Sequence, residues 1–257
     1  MGIINVSPDS FSGDGLNSID AALIKAEQFA AEGIDIIDIG GESTRPGSTP
    51  ISIDEELHRV VPVVERLSHE LEVPLSIDTY KFDIARQALD AGAQMINDIW
   101  GLKLEPRLAK LAAKKKVPII LMSNQRDKPQ RNIMSIVLSD LKRAIDVALE
   151  ASIPWENIII DPGVGFGKTL EQNLELVRQL DKLKILGRPI LLGTSRKSMI
   201  GLVLDLPEDE RWEGTAASVA IGIAKGADIV RVHDIREMIR VCRMSDAIIR
   251  GKESTLW

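Results

Sequence analysis

The sequence has few residues that could form disulfides or cysteine-based metal sites, and it has no long apolar segment that could cross a membrane. Its 257 residues include a single cysteine, Cys242, which excludes an internal disulfide framework and a cysteine-based zinc site. There is no run of about 18 apolar residues and no signal peptide, so we expect a soluble cytoplasmic protein with no membrane partner. Aromatic residues make up 4% of the chain against 44% for all hydrophobic residues, which predicts an aliphatic core.

Clustered positive charge is scarce as well. The formal net charge is −6, and residues 114–116 form the only run of three basic residues. A nucleic-acid surface needs basic residues grouped on one face. At the end of a predicted helix this run instead complements the helix dipole, so we expect no nucleic-acid partner.

Short apolar segments rich in β-branched residues recur along the chain. Eight of them span residues 3–4, 34–39, 74–77, 95–96, 117–122, 158–160, 189–192 and 228–232. They are continuously apolar rather than alternating, which is typical of strands buried on both faces of a parallel sheet. Amphipathic helical patterns lie between them. Eight strand–helix units in about 250 residues predict an α/β fold, a (β/α)8 TIM barrel, as a single domain over residues 1–257. A doubly wound open sheet is the alternative.

Nearly every predicted strand ends in a hydrogen-bonding or ionisable side chain, at the end of a TIM barrel where catalytic groups lie. Strands three, four and six end in Asp78, Asn97 and Asp161. A single polar residue before a helix commonly caps it, as we expect for Asp20, Asp54 and Thr169. Several acceptors that converge on one mouth better suit a nitrogen heterocycle with several N–H donors, because analogues without those donors would leave the acceptors unpaired.

Strands seven and eight end in a different set of side chains, which are cations or neutral donors. Arg196 and Lys197 follow strand seven, and Arg231 and His233 end strand eight. TIM barrels commonly bind phosphate groups at this position, and the planar guanidinium group of arginine matches phosphate oxygens. The sequence therefore predicts a phosphorylated substrate, with Mg²⁺ held by Asn5, by acids of the first loop and by substrate phosphates.

A glycine-rich loop over residues 161–169 follows the sixth predicted strand. It is similar to a phosphate-binding loop, but Pro162 occupies the first required glycine position, and the GxGxG spacing differs from the dinucleotide fingerprint. We therefore expect neither ATP nor a dinucleotide bound in the usual way. We expect Asp161 to contact the ligand, and Lys168 and Thr169 to begin the next helix.

Seven segments of the chain resemble the dihydropteroate synthase family closely and in order: MGIINVSPDSFS, GIDIIDIGGESTRPG, SIDTYK, IND, DPGVGFGKT, LLGTSRKSMIG and GTAASVAIGIAKGADIVRVHDI. The resemblance implies condensation of 6-hydroxymethyl-7,8-dihydropterin pyrophosphate with p-aminobenzoate, giving 7,8-dihydropteroate and pyrophosphate, with Mg²⁺ as cofactor. It implies a dissociative displacement, in which pyrophosphate leaves before the aryl amine attacks. It also implies a homodimer formed through the later helices. The apolar series of Ile235, Met238, Ile239 and Cys242 is compatible with such an interface and equally fits packing on the barrel.

The family resemblance assigns roles to individual residues where the motifs match. For the pterin it implies Asp78, Asn97, Asp161 and Lys197. For pyrophosphate it implies Asn5, Arg231 and His233, with Asn5 also a metal ligand. For p-aminobenzoate it implies Thr44, Arg45, Pro46, Phe166 and Ser198. The catalytic groups would be Arg231, His233, Lys197 and Asp78.

Two departures from the family pattern concern the site. Gly13 precedes Asp14 in the first loop, which displaces the loop acid by one residue, and Met122 is followed by Ser123 rather than by histidine. A corrinoid-linked methyltransferase with the same pterin-binding barrel is an alternative, although its substrate carries no pyrophosphate for strands seven and eight to bind. A pterin carrier without catalytic activity is the third interpretation.

Overall fold

Eight short parallel strands alternate with helices in the computed structural model, which describes residues 1–6, 18–43, 48–126 and 132–251. The strands are β1 (Gly2–Asn5), β2 (Ile37–Gly40), β3 (Leu75–Asp78), β4 (Met95–Asp98), β5 (Ile119–Met122), β6 (Ile158–Asp161), β7 (Leu191–Leu192) and β8 (Ile229–Val230). Each of them overlaps one of the predicted apolar segments, so the sequence located all eight strands.

The helices of the described residues follow the strands in turn. They are α1 (Ser18–Ala31), α2 (Ile53–Glu70), α3 (Phe82–Asp90), α4 (Arg107–Lys115), α5 (Ile133–Glu150), α6 (Leu170–Arg178), α7 (Ser198–Leu204), α8 (Trp212–Ala224) and α9 (Ile235–Ile249). Thr169 caps α6 as predicted, in a reciprocal capping box with Gln172. The predictions for Asp20 and Asp54 were wrong. Asp20 lies within the first turn of α1, and Ser52 caps α2 by accepting from the backbone N–H of Glu55. Across the described ranges, no helix is both long and apolar enough to cross a membrane.

The strands close into a ring. Strands β1 to β6 form one sheet in chain order and β7 pairs with β8, with every pair parallel. Parallel bridges between Gly2 and Val232 and between Ile160 and Ile190 join the two sheets at both edges. This arrangement is the TIM barrel that the sequence predicted, and it excludes the open doubly wound sheet.

Alternation along each strand separates an outer face from an interior. Outward residues such as Ile39, Ile77 and Leu121 are fully buried in the main core with residues of the surrounding helices. A second aliphatic cluster lies inside the barrel, formed by Met1, Met95, Ile120, Ile159 and Leu191. The positions two residues further along the strands face the same way, so Asn97 and Asp161 lie above this cluster. The core is aliphatic as predicted, and it closes the barrel beneath a polar mouth.

Candidate active site

Polar side chains line the barrel mouth, at the carboxyl ends of the strands. The strand register places Asn5, Gly40, Asp78 and Asn97 in one row across β1 to β4. A Cβ atom on Gly40 would lie 3.5 Å from that of Asp78 and 3.8 Å from Oδ1 of Asn5. Asp161 ends β6 beside the end of β5. The structure therefore brings together the side chains that the sequence predicted to converge.

Arg231 spans the interior of the mouth and joins two carboxylates. Its Nε donates to Oδ2 of Asp38 over 2.6 Å, and its Nη2 donates to Oδ2 of Asp78 over 2.7 Å. Asn97 donates from Nδ2 to the same oxygen of Asp38 over 3.0 Å. These bonds fix the positions of Arg231 and Asn97, and they use only two of about five N–H donors of the guanidinium group.

Two carboxylate oxygens of this network are buried without a hydrogen-bond partner in the described part of the chain. They are Oδ1 of Asp38 and Oδ1 of Asp78. Burial raises the pKa of Asp78 to about 7, against the opposing effect of the Arg231 charge. A buried acceptor left unpaired costs about 1–3 kcal/mol. Asp78 is therefore suited to a ligand that brings its own N–H donors.

The Asp161 carboxylate is held by its own loop. Its Oδ1 accepts a hydrogen bond from the backbone N–H of Gly163 over 2.7 Å, and burial raises its pKa. Gly163 has a φ of +70°, and a Cβ atom there would lie 2.1 Å from the carbonyl oxygen of Ser123. Only glycine allows the loops after β5 and β6 to approach this closely.

Lys168 connects the same two loops. Its Nζ donates to the carbonyl oxygens of Gly163, Ser123 and Phe166 over 2.7, 2.9 and 3.2 Å. Burial lowers the pKa of Lys168 to about 7. The expectation that Lys168 merely begins the next helix was wrong, since α6 begins two residues later and the ammonium group is committed to loop carbonyls.

Phe166 is buried and carries two cations on its ring. The Nζ of Lys197 lies 4.4 Å from the ring centroid, and the guanidinium carbon of Arg126 lies 4.5 Å from it. Burial lowers the pKa of Lys197 to about 8. Ser198 follows as the exposed first residue of α7. The other residues predicted to bind p-aminobenzoate are Thr44, Arg45 and Pro46, and they lie outside the described residues. Asp14 of the first loop lies outside them as well.

His233 contacts the loop after β7. Its Nδ1 lies 2.9 Å from Oγ of Ser195, which also accepts from the backbone N–H of His233 over 3.1 Å. Burial and the neighbouring Arg231 lower the pKa of His233 to about 3, so the ring is neutral. Arg196 is bound by both carboxylate oxygens of Asp234. Arg196, which the sequence predicted to lie among the phosphate-binding residues, is therefore held in an ion pair within the protein.

Ser123, where the family pattern has histidine, belongs to a closed polar cluster. Its Oγ donates to Oδ2 of Asp140 over 2.9 Å and accepts from Gln125 over 2.9 Å. Lys103 lies 3.1 Å from the same Asp140 oxygen. Ser123 has no exposed surface. This serine is satisfied inside the protein and offers no group to a ligand.

A second network holds Glu42 and Ile51, in the described parts of the segment between β2 and α2. The Nζ of Lys81 donates to Glu42 and Glu56, each over 2.7 Å, and to the carbonyl oxygen of Ile51 over 2.9 Å. Tyr80 donates to the other oxygen of Glu42 over 3.1 Å. Burial raises the pKa of Glu56. Lys81 therefore anchors Glu42 and Ile51, on either side of residues 44–47.

Asp38, Lys81 and Lys168 were not assigned to the site from the sequence. A signal for Asp38 existed, because it lies between Ile37 and Ile39 in a buried strand, where an unpaired charge is costly. Lys81 and Lys168 lie in motif segments, but nothing in their spacing indicates which oxygen atoms they contact.

Asn5 is the one predicted metal ligand among the described residues, and its side chain is exposed at the mouth. The described ranges contain no group of three His, Cys, Asp or Glu side chains that could hold a metal ion. A single amide oxygen fits Mg²⁺ bound mainly through substrate phosphates and water. It does not fit a cation held by the protein alone.

Comparison with known proteins identifies the class. The family described as pterin binding enzyme matches residues 1–233, and the chain belongs to this family. Its relatives narrow the class to dihydropteroate synthases. The dihydropteroate synthase of Clostridium beijerinckii is 53% identical over 252 residues, which are 97% of this chain and 94% of the relative.

Solved structures of dihydropteroate synthases share the fold over nearly the whole chain. The enzyme from Clostridium difficile, crystallised in the presence of pteroic acid, has a TM-score of 0.93 at 49% identity and covers 97% of this chain and 95% of its own. The Xanthomonas albilineans enzyme with 4-aminobenzoic acid has a TM-score of 0.92 at 40% identity and covers 96% of this chain and 91% of its own. Family membership therefore rests on the barrel as well as on the motifs.

Proposed function

We propose that this chain catalyses the dihydropteroate synthase reaction of folate biosynthesis. It condenses 6-hydroxymethyl-7,8-dihydropterin pyrophosphate with p-aminobenzoate and releases pyrophosphate. One observation carries the proposal. The barrel mouth has one half with buried hydrogen-bond acceptors, such as Oδ1 of Asp78, and beside it a second half with the donors that follow β7 and β8. One substrate presents both an N–H-rich pterin and a phosphate chain. The relatives with pteroic acid and 4-aminobenzoic acid support the same assignment.

The pterin binds to Asp78, Asn97, Asp161 and Lys197 in this proposal. The unfilled oxygen of Asp78 accepts from the amino-pyrimidinone edge, which has several N–H groups. Asp161 keeps one oxygen on Gly163 and offers the other to the ligand. Asn97 and Lys197 supply donors for the acceptor atoms of the ring. A ligand without this pattern would leave buried acceptors unpaired, which is the source of specificity.

The leaving pyrophosphate is received by Asn5, Arg231 and His233. Arg231 retains donors beyond its two bonds to Asp38 and Asp78. When bound through Asn5 and the phosphates, Mg²⁺ supplies positive charge against the negative charge that develops on pyrophosphate. Loss of pyrophosphate leaves a cationic methylene on the pterin, which the nearby carboxylates stabilise.

The aryl amine of p-aminobenzoate then attacks the methylene, forms the new C–N bond and loses a proton to solvent. An aryl amine is unprotonated at neutral pH, so no strong general base is needed. Phe166 and Ser198 bind this substrate together with Thr44, Arg45 and Pro46. The ring of Phe166 supplies a flat apolar contact, and the adjacent Lys197 joins the two substrate sites.

Pyrophosphate release from the pterin pyrophosphate tests the proposal. We expect release that requires both p-aminobenzoate and Mg²⁺, with a stoichiometric yield of 7,8-dihydropteroate. Absence of p-aminobenzoate-dependent turnover contradicts the proposal. Tight pterin binding without turnover indicates a pterin carrier, and demethylation of methyltetrahydrofolate indicates the methyltransferase.

We further propose a homodimer that uses the exposed faces of α7 and α8. The predicted α9 residues do not serve it, because Ile235 and Met238 are buried in the barrel's own core, and Ile239 and Cys242 pack against that core. Large apolar side chains are exposed on α7 and α8 at Leu202, Val203, Leu204, Trp212 and Ile221, and further ones near the end of α9 at Met244, Ile248 and Ile249. Such a patch marks an interaction surface. Sedimentation equilibrium should give a dimer that Val203→Glu weakens, and a monomeric parent chain contradicts this.

A further inference from the structure

We propose that Ser195 is a positioning residue that holds His233 in one neutral tautomer, with Nδ1 as acceptor and the proton on Nε2. The observation is the short contact between Oγ of Ser195 and both nitrogen atoms that His233 presents to it. His233 then acts as a neutral N–H donor toward the mouth. The tautomer follows from the protein alone, whereas its use toward pyrophosphate rests on the proposed function.

The hydrogen-bond inventory of the Ser195 hydroxyl selects the tautomer. A hydroxyl group has one proton to donate and two lone pairs to accept with. The backbone N–H of His233 can only donate, so it occupies a lone pair of Oγ at 3.1 Å. Among the described residues, the acceptor within reach of the hydroxyl proton is Nδ1 at 2.9 Å. Ser195 is 5% exposed, so a proton on Nδ1 would leave the hydroxyl proton buried without an acceptor.

The fold, rather than the histidine, sets the position of this hydroxyl. Before Ser195, the buried Thr194 accepts a hydrogen bond from Ser218 of α8 over 2.8 Å. After it, the backbone N–H of Arg196 donates to Thr215 of the same helix over 3.0 Å. The turn is therefore fixed to α8 on both sides of Ser195. The hydroxyl group is in place before any ligand binds.

Burial and the surrounding charge together keep the imidazole neutral. Three cations, Arg231, Arg196 and Lys25, act on His233, and Asp234 opposes them. Burial together with these cations lowers its pKa to about 3, so only the choice between neutral tautomers is open. With the proton on Nε2, the ring donates to a phosphate oxygen. With the proton on Nδ1, a lone pair at Nε2 would face that oxygen and repel it.

Nuclear magnetic resonance of the ligand-free protein reads the tautomer directly. The chain has three histidines, His58, His69 and His233, so two-bond proton–nitrogen spectra can be assigned with His58→Ala and His69→Ala. We expect a protonated Nε2 and an unprotonated Nδ1 for His233, unchanged between about pH 6 and 8 because the pKa lies far below. Protonated Nδ1 in the parent protein overturns the proposal, whether or not any variant folds.

Variants separate positioning from simple packing. Ser195→Ala should give a mixture of tautomers and lower kcat about tenfold with an unchanged KM for p-aminobenzoate, as for loss of a residue that orients a histidine. Ser195→Thr should restore the single tautomer. Ser245→Ala removes a buried serine from α9 and should change neither quantity. A single protonated-Nε2 form in Ser195→Ala overturns the proposal. Absence of turnover in the parent protein contradicts the proposed function alone.

Discussion

The two halves of the barrel mouth carry opposite hydrogen-bonding groups, with acceptors in one half and donors in the other. Around β2 to β4 and β6, carboxylates and an amide are buried, and Oδ1 of Asp78 still lacks a donor among the described residues. Around β7 and β8, the side chains are hydrogen-bond donors. Other groups of the protein hold them in position, as Ser195 holds His233. The first half needs a ligand that donates, whereas the second half needs one that accepts. Bringing both halves to one mouth selects a substrate with the two chemistries in one molecule.

Arg231 belongs to both halves and makes them compatible. Buried carboxylates without a counter-charge would be costly, and one guanidinium group serves Asp38 and Asp78 together. Because it directly follows β8, it also contributes charge to the phosphate side. The predictions that follow test whether ligand binding in each half depends on Arg231, on residues of that half alone, or on the ionisation of Asp78.

Replacing Arg231 should have the largest effect. Arg231→Met leaves the carboxylates of Asp38 and Asp78 buried without a counter-charge, so we expect a loss of about 3–5 kcal/mol in the free energy of unfolding and a loss of more than about 10³-fold in turnover. Urea unfolding and pyrophosphate release measure the two. Arg196→Met is the matched control, since it breaks a partly exposed pair with Asp234 and should cost about 0–1 kcal/mol. Equal losses in both variants would contradict the shared role.

Asp161 should matter next, and only for the acceptor half. Asp161→Ala removes a buried acceptor of the pterin, and we expect the dissociation constant of the pterin substrate to rise about 100-fold, equivalent to about 3 kcal/mol. Calorimetric titration measures it. Inorganic pyrophosphate should bind the variant as it binds the parent, and an equal loss for both ligands would show that the halves are not separate.

The ionisation of Asp78 should give a pH dependence with two opposite signs. Burial raises its pKa to about 7. Pterin donors need the ionised form, so affinity should rise with pH and fall about tenfold per unit below pH 7. Stability should move the other way, because a raised folded pKa favours folding most below the unfolded pKa and loses that contribution as pH rises to about 7. Asp78→Asn should weaken both trends without abolishing them, because burial also raises the pKa of Asp161 and of Glu56. Trends of undiminished size in this variant would assign them to groups other than Asp78.

Lys168 should have the smallest effect of the four, through the anchoring of the Asp161 loop. Lys168→Met removes three hydrogen bonds to loop carbonyls, and among the described residues the carbonyl oxygen of Ser123 then keeps no donor, whereas those of Gly163 and Phe166 keep a backbone N–H. We expect a loss of about 1–3 kcal/mol in unfolding free energy. Pterin affinity should fall a few-fold, far less than in Asp161→Ala. Thermal unfolding and the same titration measure this. Full stability in the variant would show that Gly163 alone holds the loops together.

The fold was predictable because its evidence is repeated eight times. Each strand is a short apolar segment, and nearly every one is ended or closely followed by a polar residue, so an error in one unit changes little. The convergence of Asp78, Asn97 and Asp161 follows from the same regularity, since parallel strands end at one edge.

Pairings across the barrel were not predictable in the same way. Arg231 could be assigned a buried partner from its apolar neighbours, but its choice of Asp38 and Asp78 depends on which residues face inward across the ring. Lys168 contacts carbonyl oxygens, which no sequence distinguishes from one another. The apolar series of α9 fits an interface and a core equally well, and only the structure shows that Ile235 and Met238 face the barrel.

The bridge that closes the ring joins residues at opposite ends of the described chain. Ile3 donates to the carbonyl oxygen of Val232 over 3.1 Å, and Val232 lies between Arg231 and His233. Contacts of such long sequence separation form slowly, because a large chain entropy is lost before they form. Arg231 and His233 are therefore positioned near Asn5 only after the segment that follows β8 has paired with β1. A chain still being synthesised, or one with β1 detached, lacks the assembled site, so substrate binding reports completion of the barrel.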